Sequence, residues 1–223
     1  MSFGIASFVK TPGVTPLKTR LAATIGANEA ELFYKLSCDA VFATVVNSSM
    51  AAGDQAYWAV TENSEVTKEY WRSLPLIEQG EGTLGERLAN VYDTLLSKHD
   101  IAVIVGSDCP QITSSLVKTA VEIVKSTGRL VMGPASDGGF YLFAFNKELD
   151  RKFFTSVKYS AVNTRKQILV RCQKRGIVVE LMRQLTDVDV IDDINLVATE
   201  FHMMDALTPE QAKINKWCEK YGS

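Results

Sequence analysis

The chain has 223 residues, 46% of them hydrophobic and 22% charged, with a formal net charge of -2 at pH 7. This predicts one globular domain over residues 1–223, and the near-neutral charge argues against nucleic acid or an anionic membrane as a partner. The four cysteines form no Cys-x-x-Cys pair, so neither a zinc site nor a disulfide framework is expected. With no signal-peptide features and no apolar stretch of membrane-spanning length, the expected location is the cytoplasm.

Hydrophobic patterning predicts strands that alternate with helices along the chain. The predicted strands are Gly4–Val9, Gln55–Val60, Leu76–Gln79, the apolar run that ends at Gly106, Arg129–Pro134, Phe140–Phe145 and Ile177–Met182. The predicted helices are Ala27–Val46, Glu65–Ser73, a segment from the capping box at Thr83 to His99, Ser114–Ser126, Arg151–Val157, Asn163–Arg175, Ile194–Met203 and Pro209–Lys220. In the first helix, the expected buried row is Leu32, Leu36, Ala40 and Ala43. The order predicts a mostly parallel α/β sheet, with Phe140–Phe145 as the antiparallel strand.

A basic loop follows the first strand. The segment Lys10–Arg20 contains two prolines and a glycine, which favour a loop, and it carries three cations, Lys10, Lys18 and Arg20. Backbone N–H groups and cations between a strand and a helix are suited to holding phosphate. The alternative is a solvated basic loop, and the Walker A pattern is absent. We predict phosphate binding here.

A single carboxylate ends the most apolar strand. Asp108 lies just beyond the carboxyl end of that strand, and Pro110 forces the chain to turn. In open α/β sheets, ligands bind at this edge, and a hard cation such as Mg²⁺ or Mn²⁺ prefers carboxylate and phosphate oxygens. The alternative is that Asp108 only caps the turn. Asp108 is the predicted metal ligand.

Two later segments carry further carboxylates. Asp137-Gly138-Gly139 joins two apolar runs, so the glycines are expected to supply a positive φ and Asp137 to contact substrate or serve only the turn. In Asp187-Val188-Asp189, alternate residues share one side of an extended segment, so these acids could complete a metal site with Asp108. Asp192 and Asp193 are less attractive because acids in a first helical turn stabilise the helix dipole.

Five short motifs, taken together, resemble a known family. They are Phe8-Val9-Lys10-x-Pro12-Gly13 with Lys18-Thr19-Arg20-Leu21, Leu84-Gly85-Glu86-Arg87, Gly106-Ser107-Asp108-Cys109-Pro110, Gly133-Pro134-Ala135-x-Asp137-Gly138-Gly139-Phe140, and Asp187-Val188-Asp189. In this order they resemble bacterial GT-A-fold proteins described as glycosyltransferase-like or nucleotide-diphospho-sugar transferase-like. More distantly, they are similar to 2-phospho-lactate and molybdenum-cofactor guanylyltransferases.

The resemblance implies a GT-A fold that binds a nucleotide-activated donor, most simply a nucleotide-diphospho-sugar, through Mg²⁺ or Mn²⁺. It implies Asp108 and Asp189 as metal ligands and Asp108 and Asp137 as catalytic groups, with an acceptor of unknown structure. The implied nucleotide- or substrate-binding residues are Lys10, Pro12, Gly13, Lys18, Arg20, Gly138 and Gly139. One departure is that the strand end carries Ser107-Asp108-Cys109 instead of Asp-x-Asp. Nucleotidyl transfer from a nucleoside triphosphate and a catalytically silent nucleotide-binding module therefore remain alternatives.

Overall fold

A single seven-stranded sheet forms the centre of the molecule in the computed structural model, which describes residues 1–221. The strands are β1 (Phe3–Val9), β2 (Gln55–Val60), β3 (Leu76–Glu78), β4 (Ile101–Gly106), β5 (Leu130–Pro134), β6 (Phe140–Phe145) and β7 (Val179–Leu181). Their order across the sheet is β3-β2-β1-β4-β6-β5-β7. Only β6 runs against its neighbours β4 and β5, which confirms the predicted mostly parallel sheet with one antiparallel strand.

Helices cover both faces of this sheet. They are α1 (Thr19–Ile25), α2 (Ala27–Ser48), α3 (Glu65–Tyr70), α4 (Leu84–Leu96), α5 (Ser114–Thr127), α6 (Arg151–Thr155), α7 (Thr164–Lys174), α8 (Ile191–His202) and α9 (Pro209–Tyr221). Within residues 1–221, no helix is long and apolar enough to cross a membrane. The capping box predicted at the start of α4 is present, with Thr83 and Glu86 bonding to each other's backbone.

Alternate residues of the central strands face opposite helical layers. In β4, Val103 and Val105 pack with α2 and α5, while Ala102 and Ile104 pack on the side of α4 and α6. The central strand β4 is therefore apolar on both faces, which explains its uninterrupted hydrophobic sequence. The polar backbone groups beyond the strands consequently lie where the strands begin and end, at the amino and carboxyl edges of the sheet, and a site can form there.

Helix α1 differs from the prediction of a loop through Arg20. It has seven residues, too few to show a reliable hydrophobic period, and its inward side chain is Leu21. Gly26, with φ of 86°, separates α1 from α2. Thr19 and Arg20 therefore belong to a first helical turn, while Lys10 to Lys18 form the loop.

The buried face of α2 also differs from the prediction. Of the predicted row, Ala40 is buried, but Leu32 is 43% exposed and Leu36 and Ala43 are only partly buried. The other buried positions include Phe33, Ser37 and Val41. The helix contacts the sheet, α5 and α9 on different sides, so its buried residues are not confined to one stripe. A single apolar row was therefore a poor guide to its orientation.

Candidate functional site

The predicted site residues lie at the carboxyl edge of the sheet, where β1 and β4 are neighbours. The chain leaves β1 toward β2 on one side and reaches β4 on the other, so the order of strands reverses between β1 and β4. Loops at such a reversal diverge and leave a crevice, which is where open α/β sheets bind ligands. The loop Lys10–Lys18 follows β1, and Asp108 follows β4. Both therefore border this crevice.

Lys18 joins the two loops through its ammonium group. Its Nζ lies 2.6 Å from Asp108 Oδ1 and donates to the carbonyl oxygen of Val188 at 2.5 Å. The side chain is only 7% exposed and lies over the ring of Phe33, with Nζ 5.9 Å from the ring centroid. Lys18 is thus a buried cation, so the alternative of a solvated basic loop does not hold for this residue.

The backbone of Lys18 is strained. Its φ and ψ are 44° and 45°, in the left-handed region, and it precedes the first turn of α1 as the N-cap. This conformation costs a non-glycine residue roughly 1–2 kcal/mol. Strain of this kind persists where the surrounding structure fixes the residue, and it often occurs at functional sites.

The other two cations of the segment are exposed. Arg20 forms an ion pair with Asp189, with 73% and 44% of their side chains exposed, and Lys10 points to solvent. Tyr34 holds the backbone of Lys10, since its hydroxyl accepts from Lys10 N at 2.8 Å and donates to Lys10 O at 3.1 Å. The side chains of Lys10 and Arg20 are consequently available to a ligand at the carboxyl edge of the sheet.

A hydrogen-bonded turn fixes the loop that carries Pro12 and Gly13. Val14 N donates to Thr11 O at 3.1 Å, and Gly13 has φ of 78°, which favours glycine. The Glu62 carboxylate, beyond β2, accepts from the Thr11 backbone N–H at 3.1 Å and hydroxyl at 2.9 Å, and from the Thr15 hydroxyl. Sequence inspection did not identify Glu62, since a single acid after a weak strand carries no local signal.

Asp108 is the outward-facing side chain of its loop. It is half exposed, whereas Ser107 and Cys109 on either side are buried. The Ser107 carbonyl accepts from Ser37 Oγ at 2.5 Å, and burial raises the pKa of the Cys109 thiol well above its ordinary value. Neither neighbour can therefore serve as a charged ligand. The carbonyl of Asp108 accepts from Val188 N at 3.1 Å, which brings the Asp187–Asp189 segment alongside.

The Asp137–Gly139 turn connects β5 to β6 at the same edge. Asp137 Oδ1 accepts from Gly139 N at 2.7 Å, so this carboxylate stabilises its own turn. Gly138 has φ of 91°, as expected for this turn, whereas Gly139 does not have a positive φ. Gly138 O also accepts from Arg165 N at 2.8 Å, which joins the turn to the start of α7.

Two features of the structure, a steric contact and the backbone conformation, are unfavourable for a side chain at position 138. Its Cβ would lie 2.2 Å from the backbone oxygen of Val162, and its positive φ is unfavourable for other residues. We expect Gly138→Ala to lower the free energy of unfolding by about 2–5 kcal/mol, the sum of backbone strain and steric overlap. Denaturant titration measures this loss.

Gly176→Ala is the matched control for Gly138→Ala. Gly176 has φ of 66°, and a Cβ added there would meet nothing within 4 Å, so only the backbone strain applies. We expect it to cost about 1–2 kcal/mol. Equal losses in the two variants would show that the contact with Val162 does not constrain the turn.

The four acids between Asp187 and Asp193 have different environments. Asp193 Oδ2 accepts from the backbone N–H groups of Asp189 and Val190 at 2.8 Å each, and so caps α8, which begins at Ile191 instead of the predicted Ile194. Asp192 lies exposed in the first turn of that helix. Asp187 Oδ1 accepts from Ser136 Oγ at 2.9 Å and Asp137 N at 3.2 Å. Of the two acids that flank Val188, only Asp189 accepts no backbone N–H group within the described residues, and it pairs with Arg20 instead.

The ionised carboxylate of Asp187 destabilises the folded state. Burial, followed by the negative charge of Asp137, raises the pKa of the Asp187 carboxyl above its ordinary value. The folded state therefore binds this proton more tightly than the unfolded state. The carboxylate lowers stability increasingly as pH rises above the unfolded pKa, and its cost is complete once pH exceeds the folded pKa. The cost vanishes below the unfolded pKa of about 3.9.

We expect Asp187→Asn to melt at a higher temperature than wild type at pH 7. Asparagine keeps an oxygen that can accept from Ser136 and Asp137 but removes the buried charge. The difference in melting temperature should shrink as pH is lowered toward about 4, because wild-type Asp187 becomes protonated there. A difference that is independent of pH would assign the effect to packing instead of charge.

The carboxylates at this edge fit a cation that is shared with a ligand. Within the described part of the chain, no group of three or more His, Cys, Asp or Glu side chains could hold a metal ion by itself. Mg²⁺ commonly uses one or two carboxylates and completes its shell with phosphate oxygens and water. A half-exposed Asp108, with Asp189 on the adjoining segment, has the oxygen chemistry that such a cation requires.

A separate cavity of about 490 Å³ lies at the opposite edge of the sheet. Its lining includes Arg129 before β5, Lys147 after β6 and Ile177 before β7. Arg129 pairs with Glu180, and Arg175 in the same lining pairs with Asp150. None of the predicted site residues lines this cavity, so we do not assign the candidate site to it despite its volume.

Comparison with known proteins identifies the family. A profile of uncharacterized proteins conserved in bacteria (DUF2064) matches residues 41–161, more than half of the chain. The chain belongs to the DUF2064 family. A search of curated proteins finds no match to this DUF2064 chain.

Solved structures show the fold of this DUF2064 protein. A Desulfovibrio desulfuricans G20 protein, provisionally named a nucleotide-diphospho-sugar transferase, has a TM-score of 0.84 at 21% identity, covering 99% of this chain and 97% of that chain. A cytidylyltransferase from Leptospira borgpetersenii gives 0.53 at 14%, covering 98% and 94%. Glucosyl-3-phosphoglycerate synthase from Mycobacterium tuberculosis, solved with Mn²⁺, UDP and phosphoglyceric acid, gives 0.51 at 10%, covering 89% and 78%. The DUF2064 chain therefore has the nucleotide-diphospho-sugar transferase fold.

Proposed function

We propose that this DUF2064 protein is a transferase that uses a nucleotide-activated donor, bound with Mg²⁺ or Mn²⁺ at the carboxyl edge between β1 and β4. The observation that carries the proposal is the meeting of Lys18, from the β1 loop, with Asp108, from the β4 loop, at the reversal of strand order. This places a cation and a carboxylate where α/β sheets bind nucleotides. The fold shared with nucleotide-using transferases supports the same interpretation.

Each charged residue has a role in the proposed site. Lys18 and Arg20 bind the donor phosphates, with Lys10 at the exposed rim and Pro12 and Gly13 shaping the loop. Asp108 and Asp189 would hold the divalent cation, which supplies Lewis-acid stabilisation of the charge that develops on the phosphates. Asp137, Gly138 and Gly139 would line the acceptor side. Preorganised cations beside a leaving phosphate lower the barrier without further rearrangement.

Glycosyl transfer from a nucleotide-diphospho-sugar is the first candidate reaction. We infer it from the family resemblance and from the Asp137–Gly139 turn, which lies at the same edge of the sheet as Asp108. Nucleotidyl transfer from a nucleoside triphosphate is the second candidate, because only Asp108 faces outward at the end of β4 where glycosyltransferases of this fold usually carry Asp-x-Asp. In both reactions the acceptor is an unidentified small molecule.

The leaving group distinguishes the two reactions. The purified protein is first screened by thermal shift against nucleotides and nucleotide sugars with Mn²⁺. A ligand at about 100 times its Kd adds about 2.7 kcal/mol to the free energy of unfolding, which corresponds to roughly 5–10 °C for a chain of this size. Stabilising ligands are then incubated with enzyme and candidate acceptors. Release of a nucleoside diphosphate from a nucleotide sugar indicates glycosyl transfer, and release of pyrophosphate from a triphosphate indicates nucleotidyl transfer.

A negative screen would contradict the proposal. If no nucleotide or nucleotide sugar stabilises the protein, with or without Mn²⁺, this edge does not bind an activated donor. If nucleotides bind equally well with Mn²⁺ or with EDTA and no product forms with any acceptor, the nucleotide-binding module without catalysis becomes the better account.

A further inference from the structure

We propose that the Lys18–Asp108 ion pair couples the binding of the divalent cation to the binding of the donor phosphates. In this ion pair, the Asp108 carboxylate, which is proposed to bind the metal, contacts the Lys18 ammonium, which is proposed to bind the phosphates. Neither the cation nor the donor therefore binds at full strength until the other is present. The inference rests on the proposed function and adds a property of the site: its two ligands bind with positive cooperativity through one identified contact.

Separation of the Lys18–Asp108 ion pair is unfavourable unless the Lys18 ammonium gains a replacement partner. The Lys18 side chain is only 7% exposed, its Nζ is 2.6 Å from Asp108 Oδ1, and its second acceptor is the Val188 carbonyl at 2.5 Å. A buried ammonium that loses its carboxylate is left poorly solvated, which is unfavourable. By contrast, the neighbouring Arg20–Asp189 pair is largely exposed and contributes little.

The position of the Lys18 ammonium is also fixed by the backbone. The backbone of Lys18 is held in the left-handed conformation, and its Nζ lies 5.9 Å from the centroid of the Phe33 ring and 2.6 Å from Asp108 Oδ1. A divalent cation on Asp108 would therefore lie beside a positive charge that cannot move far away. Like charges a few ångströms apart in a partly desolvated site repel strongly, so the cation alone binds weakly.

Donor phosphates remove this repulsion. Their oxygens give the Lys18 ammonium a new anionic partner and give the cation additional oxygen ligands, so Asp108 can turn from the ammonium to the metal. The phosphates likewise bind better when a cation shields them from the Asp108 carboxylate. Because coupling between two binding sites is reciprocal, each ligand must raise the affinity of the other by the same factor.

The test is titration of Mn²⁺ alone into wild type and Lys18→Met. Methionine keeps the buried aliphatic stem and removes the charge. We expect Lys18→Met to bind Mn²⁺ about 10-fold more tightly than wild type, although it removes a residue of the proposed site. Lys118→Met, at an exposed lysine on α5, removes the same net charge elsewhere and should bind Mn²⁺ as wild type does. Equal Mn²⁺ affinity in wild type and Lys18→Met would overturn the inference.

A second measurement keeps the test independent of how Lys18→Met folds. In wild type, the nucleoside diphosphate that stabilises the protein most is titrated with and without Mn²⁺, and Mn²⁺ with and without that nucleotide. We expect each to lower the Kd of the other at least 10-fold and by the same factor. Tight but independent binding would overturn the inference and leave the proposed function intact. Absence of nucleotide binding would overturn the proposed function and the coupling with it, and the Mn²⁺ comparison would then report only whether the Lys18 ammonium opposes the cation at Asp108.

Discussion

Asp108→Asn is expected to reduce Mn²⁺-dependent turnover about a thousandfold. Asparagine keeps the size of the side chain and one acceptor oxygen but removes the negative charge that a hard cation requires. A loss of about 4 kcal/mol of transition-state stabilisation corresponds to this factor. The same variant should lose the enhancement of nucleotide binding by Mn²⁺, which titration calorimetry measures directly.

The folding of Asp108→Asn should survive. The carboxylate is half exposed at the edge of the sheet, and the amide oxygen of the substituted side chain can still accept from the Lys18 ammonium. Asp192→Asn is a suitable control, because that acid is exposed in the first turn of α8 and lies outside the proposed site. A folded Asp108→Asn variant with wild-type metal dependence would reduce Asp108 to a turn residue and make Asp189 the next candidate ligand.

The double variant Lys18→Met with Arg20→Ala should weaken nucleotide affinity on the order of 100-fold or more in the presence of Mn²⁺. Hydrogen bonds to charged groups contribute about 1.5–3 kcal/mol each, and two such contacts to phosphate account for this loss. Lys118→Met combined with Lys216→Ala, at exposed lysines on α5 and α9, controls for the loss of two positive charges. Unchanged affinity in the double variant would show that the β1 loop does not bind phosphate.

The choice of methionine at position 18 follows from the burial of this side chain. A loop cation is usually solvated, so truncation to alanine would be expected to cost little stability. Here the Lys18 side chain is only 7% exposed, so alanine would leave a gap in addition to removing the charge. The methionine variant separates loss of phosphate binding from loss of packing.

Much of the fold could be predicted because strands buried on both faces leave a clear sequence signal. β1, β4 and β6 are short apolar runs bounded by turn residues, and the Asp-Gly-Gly turn correctly indicated that β6 is antiparallel. Helix α1 was missed because seven residues are too few for a periodic pattern. The buried face of α2 was misjudged because its neighbours surround it on several sides.

The candidate site was predictable in its parts but not in its connections. Position after a buried strand was enough to single out Lys18 and Asp108. The contact of Lys18 with Val188, 170 residues away, depends on how β4 and the loop after β7 pack, and no local pattern encodes it. No local pattern encodes the hydrogen bond between Asp187 and Ser136 either. This bond explains why the Asp187-Val188-Asp189 segment, which resembles a pair of metal ligands, includes one residue that fixes a turn.

Metal binding by Asp108 is tested most directly by anomalous diffraction from crystals soaked with Mn²⁺ and the most stabilising nucleotide. We expect a manganese peak at coordination distance from the Asp108 carboxylate, with that carboxylate turned from the Lys18 ammonium toward the metal and a donor phosphate oxygen in its place beside the ammonium. A nucleotide bound elsewhere, or manganese absent from this edge while the Lys18–Asp108 pair stays intact beside the bound nucleotide, would contradict it.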